Sequence, residues 1–491
     1  MKKYLLEIVV FISGALIMIL ELVAARVFSP YVGSSNLIWT SIIGVILISM
    51  SAGYYIGGRF ADKNPKYNNL SIILLITSVL ISIIPILEIV LIKEISILVT
   101  NVGIVAILCA LLVFAIPSFL LATISPYAIT LKEIKAKEIG MQTGKLSAFS
   151  TVGSITGTFL AGFFFIPTFG VKTIIFILSI LALILSVITY KNKNVKYYIS
   201  IVIVLMILAT FNILGGVLFT KSNSQVIADL DSQYDRIWIT EIAKKSTGEK
   251  YKVLQVNTAI ESYIDIDTGK MGAKYLEYYD LFNYYNKGAN NILMIGGAGY
   301  TYPMHFLKTY SDKNIDVIEI DEKMTQIAKE HFGLTIDDRL NIYHQDGRNY
   351  INSSSNKYDI ILVDAFKGDV VPFQLTTLEA VTNMNKMLNN NGIVMANVIS
   401  SIEGENSKFL DLEYQTFKKV FEEVKVFYVN NEDPNTVQNI MLIGFKDKID
   451  YEKVNNYNNM YDDYLNTEVF ELPKGNMYLT DDYAPVEMLS L

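Results

Sequence analysis

The sequence predicts a chain of two unlike parts, a multi-pass α-helical membrane domain followed by an α/β domain with a doubly wound sheet. Three observations carry that prediction: an almost continuously apolar first half, a charge split between the halves, and strands alternating with helices after Ser224. Of 491 residues, 52% are hydrophobic and 18% charged, and the formal net charge is −7. Through residue 221 there are 16 Lys and Arg against 7 Asp and Glu, a net of +9, whereas the remainder holds 25 against 41, a net of −16. A basic apolar half joined to an acidic one excludes a single globular domain, a disordered chain and a nucleic-acid binder. One cysteine, Cys109, and three scattered histidines, His305, His331 and His344, exclude a disulfide framework and a Cys/His metal site. No metal is expected, so the chemistry falls to carboxylates, amides, backbone or a bound nucleoside.

In the first half, apolar runs recur at 5–29, 37–56, 70–87, 95–131, 146–171, 173–190 and 197–220. Each is near or above the ~20 residues that span a bilayer core, which gives about seven segments within a transmembrane domain of residues 1–221. Lys2 and Lys3 before a long run with no small-residue cleavage motif read as the start of a retained helix. A cytoplasmic N-terminus puts twelve basic residues on one side, among them Arg59, Lys66, Lys132, Lys145 and Lys191, and only Arg26, Lys93 and Lys172 on the other. Seven crossings would send the acidic domain outside. The 95–131 run is too long for one span, and Pro117 is the place where it would break. An even number of crossings is therefore preferred, with a cell-membrane location and the catalytic domain on the cytoplasmic side. Glu21, Arg26 and Glu88 lie near run ends, and two readings stay open: a cation path, or interfacial residues that are paired or snorkelling. Gly57-Gly58-Arg59-Phe60-Ala61-Asp62-Lys63 resembles the short loop between helices two and three of major-facilitator transporters, over those few residues alone. Gly153 and Gly157 form a small-residue face for close helix contact.

After a short polar hinge at 221–229, residues 222–270 read as a small antiparallel β preface with strands at 234–242, 251–257 and 260–266. Residues 271–491 then alternate strands and helices, which implies a parallel, doubly wound, Rossmann-like sheet with its ligand at the carboxyl ends of the strands. Three features coincide there. Gly296, Gly297 and Gly299 follow an apolar strand, where small residues let the backbone approach a ligand. Glu319 and Asp321 end the next strand, where a carboxylate accepts from ribose hydroxyls, although Asp321 also suits a helix N-cap. Asp346 and Gly347 end the third strand and suit an adenine amino group or, equally, a plain turn. No Walker-type phosphate cradle is present, so an S-adenosyl compound fits better than NAD or ATP. Asp364 ends the fourth strand, placed to accept a proton from an amine whose ordinary pKa of ~10 would bring it in protonated. A loop at 367–372 comes after it and could close over a substrate.

These residues resemble the spermidine synthase family of polyamine aminopropyltransferases, in its membrane-fused bacterial branch. The resemblance runs from Glu21, Arg26, Pro30 to Ser35 and Trp39 through Ser232-Gln233-Tyr234 and Tyr275 to the glycine loop, Glu319-Ile320-Asp321, Asp346-Gly347 and Asp364. It closes at Thr480-Asp481-Asp482-Tyr483-Ala484-Pro485-Val486-Glu487. It implies a small β domain plus a class I methyltransferase-like core that moves aminopropyl from decarboxylated S-adenosylmethionine to putrescine or a related amine, releasing methylthioadenosine. By the same resemblance Glu319 holds the ribose, Asp346 the adenine and Asp364 the attacking amine, with Tyr275 and Tyr234 in the polyamine cleft. The soluble members' Gly-Gly-Gly-Asp-Gly has Gly299 here at its Asp, and their Asp-Ser-Ser-Asp-Pro loop has become Asp364-Ala365-Phe366-Lys367-Gly368. Two of their glutamines are replaced by Asp235 and Glu261, the candidates for restoring negative charge. The nucleoside half is kept and the amine half rewritten. Two alternatives stay open: a methyltransferase using S-adenosylmethionine on a small or membrane-associated substrate, and a transporter whose soluble domain senses a nucleoside. Expected partners are a small-molecule amine and the lipid bilayer, with a homodimer left open and nucleic acid excluded.

Overall fold

The computed structural model describes residues 4–33, 35–99, 101–132, 138–191, 196–197, 200–201, 203, 225–244, 248–365, 371–430, 433–451, 459–470, 475–486 and 489. It divides into two compact units, residues 1–223 with 229–237 and residues 224–228 with 238–491.

The first unit is helical because its runs of Leu, Ile and Val satisfy every backbone group within the segment, the requirement a bilayer imposes. Its long helices are α1 (Leu5–Val32), α2 (Asn36–Lys63), α3 (Tyr67–Leu87), α4 (Val102–Val113), α5 (Ala115–Leu131), α6 (Ile139–Thr168) and α7 (Val171–Thr189). Five of them are long and apolar enough to cross a membrane, or six when α4 and α5, bent by 53°, form one span. The bend falls at Phe114, three residues before Pro117, because a proline ring clashes with the carbonyl four residues back, that of Val113. Residues 204–224, most of the seventh apolar run and the start of the hinge, lie outside the described residues, as do Lys135, Lys137 and Lys193.

Close packing in this unit follows its small and hydroxylated residues. A Cβ on Gly153 would stand 1.9 Å from the Phe11 carbonyl oxygen, and one on Gly157 2.6 Å from that of Ala15, so α6 lies directly on α1. Ser71 and Ser186 each donate to the other's carbonyl at 2.7 Å, and Ser78 and Ser179 do the same at 2.8 Å, joining α3 to α7. Glu7, unremarked in the sequence, is buried and meets Lys132 at 2.7 Å and Lys145 at 3.6 Å. Of the acidic residues singled out, Glu21 is half-buried, while Glu88 is buried against Arg236 Nη1 at 2.7 Å, with the Tyr31 hydroxyl at 3.4 Å. That favours the paired reading of Glu88. The 57–63 segment that resembles a transporter loop is the last two turns of α2, not a loop.

The β preface has four strands rather than three, in the order β1 (Gln225–Asp231), β2 (Arg236–Ala243), β3 (Lys250–Val256), β4 (Ala259–Asp265). The added strand is cut from residues read as polar hinge, whose Gln-Val-Ile-Ala-Asp-Leu-Asp alternation is short and interrupted by charge. The turn joining β1 to β2 belongs to the first unit.

The second unit is built on a seven-stranded sheet of β5 (Asn291–Ile295), β6 (Asn314–Ile318), β7 (Leu340–Tyr343), β8 (Tyr358–Val363), β9 (Leu388–Ser400), β10 (Glu423–Tyr428) and β11 (Gln438–Phe445), in the order β10-β11-β9-β8-β5-β6-β7. The strands from β7 to β9 pair in parallel, but β11 runs antiparallel to both β9 and β10, so the sheet is mixed and not wholly parallel as expected. Only nine residues, 429–437, separate β10 from β11, with no helix among the described ones, too few for the crossover a parallel pair needs. The fold remains Rossmann-like and doubly wound. Leu293 and Ile295 of β5 enter one core with α11 (Leu378–Met387) and α12 (Lys408–Lys418), while Ile292 and Met294 enter the other with Tyr279, Phe282 and Phe306 of α8 (Thr301–Thr309). A strand covered on both faces reads as an unbroken apolar run, and Asn-Ile-Leu-Met-Ile is one. Chain connections diverge at β5, between β6 and β8, which opens the crevice at their carboxyl ends.

Candidate active site

The segments that leave the carboxyl ends of β5, β6, β7 and β8 form the crevice. Gly296 continues β5, donating its N–H to the Ile318 carbonyl at 2.8 Å with φ of 96°. A Cβ there would lie 2.2 Å from the carbonyl oxygen of Asp364, so glycine alone allows the end of β5 to meet the end of β8. The loop then turns through two further left-handed residues, Ala298 at φ 43° and Tyr300 at φ 55°. Tyr300 supports it from below, fully buried, with its hydroxyl 2.6 Å from Thr325 Oγ1.

Glu319 ties this loop to β6. Its Oε2 accepts from the backbone N–H of Gly297 at 2.8 Å and of Ala298 at 3.0 Å, and its Oε1 from that of Asp321 at 2.9 Å. Burial pushes its pKa up, against the pull of those three donors. Oε1, which takes only one of these bonds, keeps a second acceptor direction, so a ribose hydroxyl can be held while the loop stays clamped. Asp321 is buried and caps α9 (Glu322–Ile327), accepting from Lys323 N–H at 3.0 Å. Asp346 likewise caps α10 (Gly347–Ser353), accepting from Asn349 N–H at 2.9 Å, and is partly exposed. Both therefore perform the local task that the sequence left open for them.

Asp364 follows the end of β8. It is half-buried, with Oδ2 accepting from the Tyr275 hydroxyl at 3.1 Å and Oδ1 from Asn397 Nδ2 at 3.3 Å. Loss of water pushes its pKa up to about 6, although Asn397, Tyr275 and Tyr279 pull the other way by donating to it. Burial, with the Asp364 charge beside them, drives Tyr275 and Tyr279 far above the ordinary tyrosine range and keeps both as donors. Tyr279 also donates to the Val363 carbonyl at 3.2 Å. Glu261, on β4, is near enough for its charge to add to the push on Tyr275. The arrangement is a half-buried carboxylate, held by neutral donors, beside a glycine loop.

Two of the expected residues belong to the first unit. Tyr234 and Asp235 stand in the β1–β2 turn of the first unit, where both backbone N–H groups donate to Ser232 Oγ, at 3.0 and 2.9 Å. Lys367 and Glu487 lie outside the described residues. In the closing motif Asp481 is structural, taking Arg348 Nη2 at 2.6 Å and the Thr377 hydroxyl at 2.6 Å. Sequence reasoning missed Tyr279, one helical turn after Tyr275, and Asn397, the single polar residue in the apolar Ile393–Ile399 stretch of β9. It also missed Ser262, which is buried and whose Oγ accepts from the Gly299 N–H at 3.1 Å.

Ser262 explains Gly299. A Cβ at 299 would meet Ser262 Cβ at 2.7 Å and Oγ at 3.0 Å, so serine occupies the space a side chain would need. Gly299→Asp alone is expected to cost about 1–3 kcal/mol, the range for overpacking. Adding Ser262→Gly should recover most of that loss, and thermal unfolding of the single and double variants in detergent is the check.

Residues 281–452 match the family described as the spermine/spermidine synthase domain. The polyamine aminopropyltransferase of Vibrio vulnificus (strain CMCP6) is 32% identical over 161 residues, 32% of this chain and 52% of that protein. The probable polyamine aminopropyl transferase of Bifidobacterium longum (strain NCC 2705) is 34% identical over 119 residues, 24% of this chain and 26% of that protein. The chain thus spans about half the length of the first relative and about a quarter of the second. Among solved structures, a probable spermidine synthase from Corynebacterium glutamicum ATCC 13032 is 20% identical with a TM-score of 0.40, covering 45% of this chain and 81% of that one.

Proposed function

We propose, from the premise that residues 281–452 are a spermine/spermidine synthase domain, that this protein is a polyamine aminopropyltransferase held at a membrane by its helical half. The donor is decarboxylated S-adenosylmethionine and the acceptor is putrescine or a related amine. The observation that carries this reading is Asp364, half-buried at the end of β8 with Tyr275 and Asn397 donating to it, beside the loop clamped by Glu319. In the transfer the amine lone pair attacks the aminopropyl carbon bonded to sulfur, the carbon–sulfur bond breaks, methylthioadenosine leaves, and the amine's proton passes to Asp364. The two tyrosines, held protonated, keep the carboxylate aimed without competing for that proton.

One observation favours a second reading. With Ser262 filling the space beside Gly299, no carboxylate stands at that point of the loop to hold a donor's free amine, which suits methyl transfer from S-adenosylmethionine on the same frame. The full chain in detergent, given each donor with a panel of diamines, separates the two. Methylthioadenosine with an aminopropylated amine supports the first reading; S-adenosylhomocysteine with no methylthioadenosine replaces it with the second.

The base must be ionised to accept a proton, so kcat/KM is expected to rise with pH through an acid limb near 6, the pKa of Asp364. The stability contribution has the opposite sign. A carboxyl whose folded pKa is raised above its unfolded value of ~3.9 favours folding below that value and loses the contribution as pH climbs to about 6. Rate profiles and thermal unfolding between pH 4 and 8 should therefore diverge across that window.

A further inference from the structure

The amide of Asn397 is half used. It is 3% exposed, its Nδ2 donates to Asp364 Oδ1 at 3.3 Å, and its Oδ1, also buried, accepts no hydrogen bond among the described residues. Buried polar atoms are nearly always paired, and an orphan beside a reactive group marks a place where a ligand supplies the partner. The orientation follows from the chemistry: an ionised Asp364 only accepts, so the amide must turn its nitrogen to it and its oxygen away. Oxygen and nitrogen share one carbon, so this free acceptor lies immediately beside the carboxylate that takes the proton.

We propose that Asn397 Oδ1 accepts a second N–H from the attacking nitrogen of the acceptor, and so selects against tertiary amines. The proposal rests on the aminopropyltransferase reading above. A primary ammonium has three N–H bonds: one gives its proton to Asp364, one meets Oδ1, and the lone pair left by the first is turned toward the donor carbon. A secondary ammonium has two and still meets both needs, whereas a tertiary ammonium spends its single N–H on Asp364 and has none left for Oδ1. Neither the glycine loop nor Glu319 takes part, so the adenosyl group is bound independently of this contact. Asn397 then positions the nucleophile and sets which nitrogen may enter.

The test uses the full chain in detergent saturated with methylthioadenosine, and reads binding of putrescine and of its N,N,N′,N′-tetramethyl form by calorimetry. In Asn397→Leu, which keeps the branched shape without a polar atom, putrescine should bind about 10- to 100-fold more weakly while methylthioadenosine affinity stays unchanged. The preference for putrescine over the methylated form should collapse. Asn397→Gln keeps an acceptor and should restore most of the affinity, which separates this role from a packing defect. Unchanged putrescine affinity in Asn397→Leu, an unchanged preference, or equal loss of methylthioadenosine would overturn the proposal, as would a wild-type chain that binds neither amine. Product formation is scored separately. Amine binding that depends on Asn397 with no methylthioadenosine produced refutes the transferase reading alone, and turnover indifferent to Asn397 refutes this proposal alone.

Discussion

Replacing Asp364 with asparagine is expected to lower turnover about 10²- to 10⁴-fold while leaving methylthioadenosine affinity and the fold intact. The variant keeps the shape of the side chain; its one oxygen can accept from Asn397, which bonds Oδ1 at 3.3 Å, while its nitrogen meets the Tyr275 hydroxyl, 3.1 Å from Oδ2, which can turn to accept. It loses the capacity to take a proton. Because burial already raises the pKa of Asp364 to about 6, ionising that group works against the folded state at neutral pH, and an amide removes the conflict. The unfolding temperature should therefore stay level or rise slightly. A variant that turned over at the wild-type rate would show that the proton leaves by another route, and the assignment of the base would fall.

Gly296→Ala is expected to be the most damaging single-methyl change in the second unit. It forces alanine to φ 96°, and its Cβ would fall 2.2 Å from the Asp364 carbonyl oxygen, a backbone atom that cannot turn aside. The left-handed conformation costs about 1–2 kcal/mol. Separating two strand ends that meet at Asp364 adds about 1–3 kcal/mol. Gly333→Ala supplies the control, because Gly333 has φ 83° but open space around its Cβ position, so only the conformational cost applies. Chemical denaturation should show a loss of about 1–2 kcal/mol for the control and one about twice as large, with loss of adenosyl binding, for Gly296→Ala. Equal losses would mean that the contact between β5 and β8 is softer than these distances imply.

Those two residues were plain in the sequence because each is announced by its neighbours: a glycine directly after an apolar strand, and an acid that ends one. Glu319 was legible for the same reason, but its hold on the N–H groups of Gly297 and Ala298 was not, since nothing in spacing says which way a carboxylate turns. Asp321 and Asp346 illustrate the limit of position alone, because a strand-end acid and a helix cap share a sequence signature and the caps are what the folded chain displays. Asn397 and Ser262 belong to strands, and their roles depend on pairing between segments more than thirty residues apart in sequence. The reversal of β11 was hidden likewise, because direction follows from the connection and not from the strand's own Gln-Asn-Ile-Met-Leu-Ile-Gly-Phe. The helical half was readable as apolar runs, while Glu7 with its two lysines was not, because it sits only a few residues into a run whose basic partners come from 125 and 138 positions away.

The reciprocal serines of the helical unit constrain how that unit can move. Ser71 with Ser186 and Ser78 with Ser179 lie seven residues apart on each helix, about two turns, so both pairs are in step at a single alignment of α3 against α7. A ratchet of one turn, about 5.4 Å, would break all four interhelical bonds at once and leave each hydroxyl only its own helix to bond. The two helices therefore behave as one stiff lever. Whatever displacement passes through the bundle must reach its far end as tilt or rotation of that lever, never as sliding within it.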